Sequence, residues 1–385
     1  MLPFTSVSFF VILCSFVLIT WLCKWWLQKL ISYETIIGIL SATFLVIYFP
    51  KPFHFLIYWV YSYLVYYFLG FKYVPKYKIW GILMLCLPMI LVKFDIRTDF
   101  KWNDILGLAG LSYITFKTVA LYIDASPEGK KATIWELFSF QSFTPTLLVG
   151  PIDRFERFTT DIKNGYSQLS STRFFEGMQQ LLIGIFYSYV CAEFIMRFWL
   201  NAFDSESFEL TDMGANMYGY FLFLYFDFAG YSAMAVGFGK MLGIDVPINF
   251  DKPFLARNPQ EFWRRFHKSL GDWLGDYFFK PMFKFLTKKK RLKPYPLTKQ
   301  NLSLFATFTL MGCWNGFQFH YILSGMIFGL YSVVYNSYVF KCKKQKRDIV
   351  FGTLPDQIVR PLSIFILMNL AAFSIYIFSG RAPFL

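Results

Sequence analysis

Three histidines among 385 residues leave few places for imidazole chemistry, and one of them, His267, lies in Phe262-Trp-Arg-Arg-Phe-His-Lys-Ser-Leu270. Histidine titrates near neutrality, so this ring could act as a general base or acid. Asn315 and His320 form a second polar pair, in Met311-Gly-Cys-Trp-Asn-Gly-Phe-Gln-Phe-His320. Five residues at roughly 100° each place them about 140° apart on a helix. They share a face only if Gly316 breaks it. Ionisable groups inside apolar runs come next, because they are costly in hydrocarbon and face a cavity or a partner. Glu193 and Arg197 are four apart and can neutralise each other. Asp227, in Phe223-Leu-Tyr-Phe-Asp-Phe-Ala-Gly-Tyr231, has no partner within one helical turn and is expected to act across helices or on a substrate. No G-x-S-x-G, Walker loop or dinucleotide fingerprint is present, so serine hydrolase, ATPase and nicotinamide chemistry lack motif support. The six cysteines form no C-x-x-C pair and fall mostly in apolar runs, which argues for packing and against a disulfide framework or a metal site.

The elements that must carry these groups are membrane helices. The chain is 56% hydrophobic and only 16% charged, against about 25% charged residues in soluble domains. Phe4 to Cys23 holds twenty residues without a formal charge, about the length that crosses 30 Å of hydrocarbon. Without a preceding basic segment or a small-residue cleavage site, it reads as a retained span. Further spans are expected over 35–50, 53–70, 79–92, 105–123, 134–152, 178–200, 217–244, 302–317, 321–340 and 361–378. The expected fold is all-α and polytopic, with about eleven transmembrane helices plus shorter amphipathic and re-entrant ones. Gly, Pro or a charge interrupts several spans, and broken backbone at membrane depth must be buried in protein or line a wet cavity.

The net charge of +14 is concentrated. Lys280 to Lys299 contains eight Lys or Arg and no acid, and Lys341, Lys343, Lys344, Lys346 and Arg347 form a second cluster. The positive-inside bias places both in the cytoplasm, on either side of a hairpin of two spans. Attraction to anionic lipid accounts for most of these charges, an acidic soluble partner is a further expectation, and no nucleic-acid module accompanies them.

Texture changes once along the chain. Residues 246–300 are polar and basic yet rich in aromatics. Asn258-Pro259 is a helix start, with Asn258 as N-cap. Trp263, Phe266, Leu270, Trp273, Leu274 and Tyr277 then recur at helical spacing, which predicts one amphipathic helix with His267 inside its apolar stripe.

Taken together, Asp227-Phe-Ala-Gly-Tyr231, Asn249-Phe-Asp-Lys-Pro-Phe254, the segment around His267 and Met311-Gly-Cys-Trp-Asn-Gly316 resemble the membrane-bound O-acyltransferase family. Ser112-Tyr-Ile-Thr-Phe-Lys117, Gly150-Pro-Ile-Asp-Arg154 and Phe378-Ser-Gly380 resemble its teichoic-acid D-alanylation branch, so the likeness runs through nearly the whole chain. It implies a single domain over 1–385, with helices ringed around a central funnel, in the cell membrane of a Gram-positive bacterium. It implies a D-alanyl thioester on the phosphopantetheine arm of a small acidic cytoplasmic carrier protein, no cofactor or metal bound by the chain itself, and a teichoic acid or membrane acceptor. His267 matches the histidine on the donor path. Trp263, Arg264, Ser269, Trp314 and Asp227 become the expected substrate contacts, and His267, Asn315 and His320 the expected catalytic set. One departure stands out: where the family carries the histidine usually assigned to catalysis, in M-G-x-W-H-G, this chain has Asn315. An amide is no base at neutral pH but can donate to an oxyanion. Either His267 or His320 supplies the base, or none is needed there, or the chain is inactive. A polysaccharide O-acetyltransferase of the same family and a non-catalytic conduit or scaffold are the alternative functions.

Overall fold

Every regular element among the described residues is helical, as the apolar runs require: backbone polar groups in lipid must be satisfied within the segment. The structure, a computed structural model, describes residues 7–71, 78–94, 110–125, 131–347 and 355–385. Five helices are long and apolar enough to cross a membrane: Val7–Trp26, Ser171–Ala202, Leu210–Met241, Phe319–Lys344 and Asp356–Ser379. Several other expected spans appear as shorter helices. Tyr33–Tyr48 has 16 residues and Leu111–Asp124 has 14, about 24 Å and 21 Å at 1.5 Å per residue, less than the hydrocarbon thickness. The start of the 105–123 span lies outside the described residues. The expected span 134–152 is not one helix. It breaks into Ile134–Ser142 and Thr144–Leu147, because Pro145 removes a backbone donor where continuation would need one.

Two compact units divide the chain, Met1–Ile185 with Gly230–Ile248, and Phe186–Ala229 with Asn249–Leu385. In the first unit, Gly177 and Gly184 lie against the backbone carbonyls of Gly237 and Gly230, so helices approach to a distance that any side chain would prevent. Two segments singled out in the sequence each bury a charge in its core. Lys117, 1% exposed, donates to Thr146 Oγ1 at 2.7 Å and to the Phe140 carbonyl at 3.2 Å. Asp153, equally buried, accepts from Arg157 Nε at 2.9 Å. These charges are held by partners, as buried charges must be.

The second unit contains every candidate site residue from Asp227 to His320. Its labelled helices are α1 (Leu210–Met241, of which the part up to Ala229 belongs here), α2 (Pro259–Arg265), α3 (Lys268–Leu274), α4 (Lys280–Thr287), α5 (Pro296–Asn315), α6 (Phe319–Lys344) and α7 (Asp356–Ser379). Helices α5 and α6 form a hairpin whose close approach runs through Gly312 and Gly325: the Gly312 Cα lies 3.1 Å from where a Cβ on Gly325 would sit. Glu193 and Arg197 pair with each other, as their spacing predicts.

Candidate active site

Helix α2 begins as the sequence predicts, with the Asn258 side chain accepting from Glu261 N at 2.9 Å and Pro259 in the first turn. It does not continue through His267. Phe266 is extended (φ −106°, ψ 120°) and His267 is left-handed (φ 53°, ψ 48°), after which α3 starts. The single amphipathic helix expected over this stretch is therefore two short helices joined by an elbow, followed by a wide turn over Gly275–Phe279 and α4. The cause is a tertiary competitor for the backbone. Residues 249–251 cross the elbow: Phe250 forms an antiparallel bridge with Phe266, Asp251 N donates to Arg265 O at 2.9 Å, and Lys268 N donates to Asn249 O at 2.9 Å. The buried Asn249 side chain completes the clasp, accepting from Ser269 Oγ at 2.6 Å and Ser269 N at 3.3 Å. A left-handed non-glycine residue costs about 1–2 kcal/mol, and these bonds together with stacking of Phe266 on Phe262 at 5.0 Å offset it.

The elbow buries the imidazole. His267 is 6% exposed, its ring edge-on to Phe228 at 4.6 Å and 5.9 Å from the ring of Trp314. Its Nε2 has no hydrogen-bond partner among the described residues. Burial among aromatic rings pushes the pKa of His267 down to about 3, so the ring is neutral at physiological pH. A neutral imidazole has one nitrogen that donates and one that accepts, and an unpartnered buried nitrogen is costly unless a ligand or water uses it.

The other expected site residues divide into three groups. Trp314 joins His267 directly, and Asp227, half-buried, immediately precedes Phe228 on α1. Ser269 is spent on the Asn249 clasp, while Trp263 packs beneath, edge-on to Phe328 at 4.8 Å, its Nε1 without an acceptor among the described residues. Arg264 is exposed and forms no ion pair among the described residues. Asn315 and His320 are not joined by a hydrogen bond. Gly316, fully extended, does break the helix, yet each polar side chain turns to backbone: Asn315 Nδ2 donates to Met311 O at 3.0 Å, and His320 Nδ1 lies 2.8 Å from Phe378 O. Asn315 itself is exposed at the end of α5. The sequence placed Asn249 and Phe228 in family-like motifs but assigned neither a task of its own, because their contacts lie 20 and 39 residues away in the chain.

The basic segment follows α3 in the chain. Arg257 is paired with Asp356 at 3.0 Å and Lys280 with Asp276 at 2.7 Å. Arg264, Lys284, Lys288, Lys290 and Arg291 have no carboxylate partner among the described residues, and Lys289 lies over the Phe285 ring at 4.4 Å.

Residues 108–348, which include every site residue from Asp227 to His320, match the model of the MBOAT, membrane-bound O-acyltransferase family. The chain belongs to that family. As a membrane-bound O-acyltransferase it is similar to the teichoic acid D-alanyltransferase of Streptococcus thermophilus, with 33% identity covering 77% of this chain and 74% of that one. Similarity to the protein of the same name from Bacillus subtilis is also 33%, covering 73% and 71%. The probable alginate O-acetylase of Pseudomonas aeruginosa is 29% identical, covering 64% of this chain and 45% of the relative. Within this membrane-bound O-acyltransferase, the segment around His267 meets the Met311–Gly316 motif through the contact of His267 with Trp314.

Proposed function

We propose that this protein transfers D-alanine from a thioester-charged carrier to hydroxyls of teichoic acid outside the cell, as a multi-pass protein of a Gram-positive cell membrane. We infer about eleven crossings in all, counting shorter apolar helices such as Tyr33–Tyr48, which span where the bilayer thins to match them. The observation that carries the chemistry is the buried, neutral His267 with its Nε2 unpartnered. An acceptor hydroxyl attacks the thioester carbonyl, the C–S bond breaks, and the hydroxyl proton must reach the departing sulfur. Nε2 of His267 relays it. Burial disfavours a lasting imidazolium, so the proton passes on to the thiolate as the sulfur leaves. Trp314 and Phe228 supply the dry wall that makes this environment. The donor brings its phosphopantetheine with it on the carrier. The O-acetylation alternative draws on relatives of which this chain spans less than half, and the D-alanylation reading draws on relatives matched over nearly three quarters of their length.

The test is reconstitution: purified protein in vesicles with a D-alanyl-charged acidic carrier should label a teichoic acid acceptor. Arg264, Lys284, Lys288, Lys290 and Arg291 recruit the carrier, so the transfer rate at low carrier concentration should fall steeply between 0.1 and 1 M salt, as the Debye length shrinks from about 10 Å to about 3 Å. A salt-indifferent rate removes the electrostatic recruitment and leaves the aromatic surface around Phe285 as the docking face.

Asn315 stands at the end of α5 one residue beyond Trp314, where an amide can orient the thioester carbonyl. Asn315→Ala should lower turnover by about 10²- to 10³-fold, the usual loss of one oxyanion donor, without moving the melting temperature, because its only hydrogen bond among the described residues returns to Met311 O. Equal turnover in Asn315→Ala and wild type rejects that role.

A further inference from the structure

The outer end of the second unit holds an arginine that neither motif nor proposed chemistry uses. Helix α6 ends in Lys341, Lys343 and Lys344, which the positive-inside bias places in the cytoplasm. At 26 residues it is about 39 Å long, so its first turn, with His320 and Tyr321, lies on the opposite side of the membrane. The hydrogen bond between His320 and Phe378 O brings the end of α7 to the same level. There α7 stops in a left-handed Gly380 (φ 69°), whose N donates to Ile377 O, and Arg381 N donates to Ser379 Oγ at 3.1 Å. This cap turns Arg381 back onto α1, where Nη1 donates to Asn216 Oδ1 at 3.1 Å. Asn216 is wholly buried and its amide orientation is set by donation to Asp204 O and Asp212 O, so its oxygen faces the guanidinium by construction. No carboxylate pairs with Arg381 among the described residues.

A half-buried guanidinium anchored through one nitrogen, with its other N–H groups left over, has the donor set that a phosphate oxygen pair accepts. We propose that Arg381, positioned by Asn216, binds a phosphodiester of the acceptor polymer at the outer face, holding a neighbouring repeat while a polyol hydroxyl reacts. This deepens the reading above, since teichoic acids are polymers of polyol phosphodiesters. A membrane phospholipid presents the same chemistry, and the test separates the two.

The full chain in phosphatidylcholine nanodiscs should bind a soluble glycerol-phosphate oligomer with an affinity that falls as salt rises. Arg381→Gln should weaken that binding about 10- to 100-fold and remove most of its salt dependence, while Arg381→Lys, a point charge without the fork, should retain part of it. Melting temperatures of both variants within a few degrees of wild type establish that the fold is intact. Wild-type affinity in a folded Arg381→Gln overturns the site. Displacement of the oligomer by phosphatidylglycerol added to the nanodisc assigns the site to a lipid headgroup and overturns the polymer assignment. Transfer of D-alanine from charged carrier is measured separately: its absence in wild type overturns the proposed function and leaves an Arg381-dependent oligomer complex standing, and its presence alongside Arg381-independent binding does the reverse.

Discussion

Replacing His267 should reduce D-alanyl transfer by about 10²- to 10⁴-fold, the range lost with general acid–base assistance, and the choice of replacement decides what the loss means. Because His267 has φ 53°, alanine there would combine loss of the imidazole with a strained backbone worth about 1–2 kcal/mol. Glycine and asparagine adopt this conformation readily. His267→Gly and His267→Asn should therefore keep the elbow, with melting temperatures close to wild type, and both should lose activity. Asparagine separates the functions further, since it retains a hydrogen-bonding group but cannot take a proton. Wild-type turnover in a folded His267→Asn would mean that the ring only orients the donor. The pH dependence gives an independent reading. A histidine whose folded pKa is pushed down to about 3 stays neutral from pH 5 to 8, so the wild-type rate should show no break from this group in that window. The sign for stability follows: the unfolded chain binds a proton below about pH 6.5 and the folded chain does not, so His267 destabilises the fold progressively as pH falls below that value.

Gly325→Val should produce the largest loss of stability. A Cβ at Gly325 would stand 2.5 Å from Phe308 O and 3.1 Å from the Cα and N of Gly312, all backbone atoms that no side-chain rotation can move. Inserting even one methyl into such packing costs about 1–3 kcal/mol, sometimes more, and a branched side chain forces α5 and α6 apart. Since α5 carries Trp314, the wall of the His267 pocket moves with it. The expected result is a melting temperature lowered by several degrees, a large drop in the folded fraction recovered in detergent, and transfer activity reduced beyond that drop. Gly214→Ala is the control, because a Cβ there meets nothing within 4 Å on a helix and should be neutral or stabilising by up to about 1 kcal/mol. A Gly325→Val protein that melts with wild type would show that the hairpin is not held at this crossing.

How much of this was legible in the chain depends on the range of the interaction concerned. Apolar runs announced the helices, since crossing hydrocarbon demands length and hydropathy that soluble sequences lack, and Val7–Trp26 and Asp356–Ser379 follow almost directly from composition. Local chemistry was legible as well: the Asn258 cap and Pro259 start of α2 and the Glu193–Arg197 pair all lie within one turn. Motif order also pointed to the membrane-bound O-acyltransferase family, whose model matches residues 108–348. Periodicity failed at His267. The apolar stripe from Trp263 to Tyr277 is compatible with one helix, and nothing within it reveals that Asn249 and Phe250, some 17 residues upstream, take its backbone hydrogen bonds and turn the chain at the histidine. Spacing likewise marked Asn315 and His320 as a pair, and the extended Gly316 allowed it, but carbonyls of Met311 and Phe378 claim their side chains. Residue types and local order are properties of the sequence. Which nitrogen stays unpartnered, which carboxylate neutralises which arginine, and where Arg381 meets Asn216 depend on contacts up to 165 residues apart, and only folding brings those atoms within the few ångströms over which hydrogen bonds act.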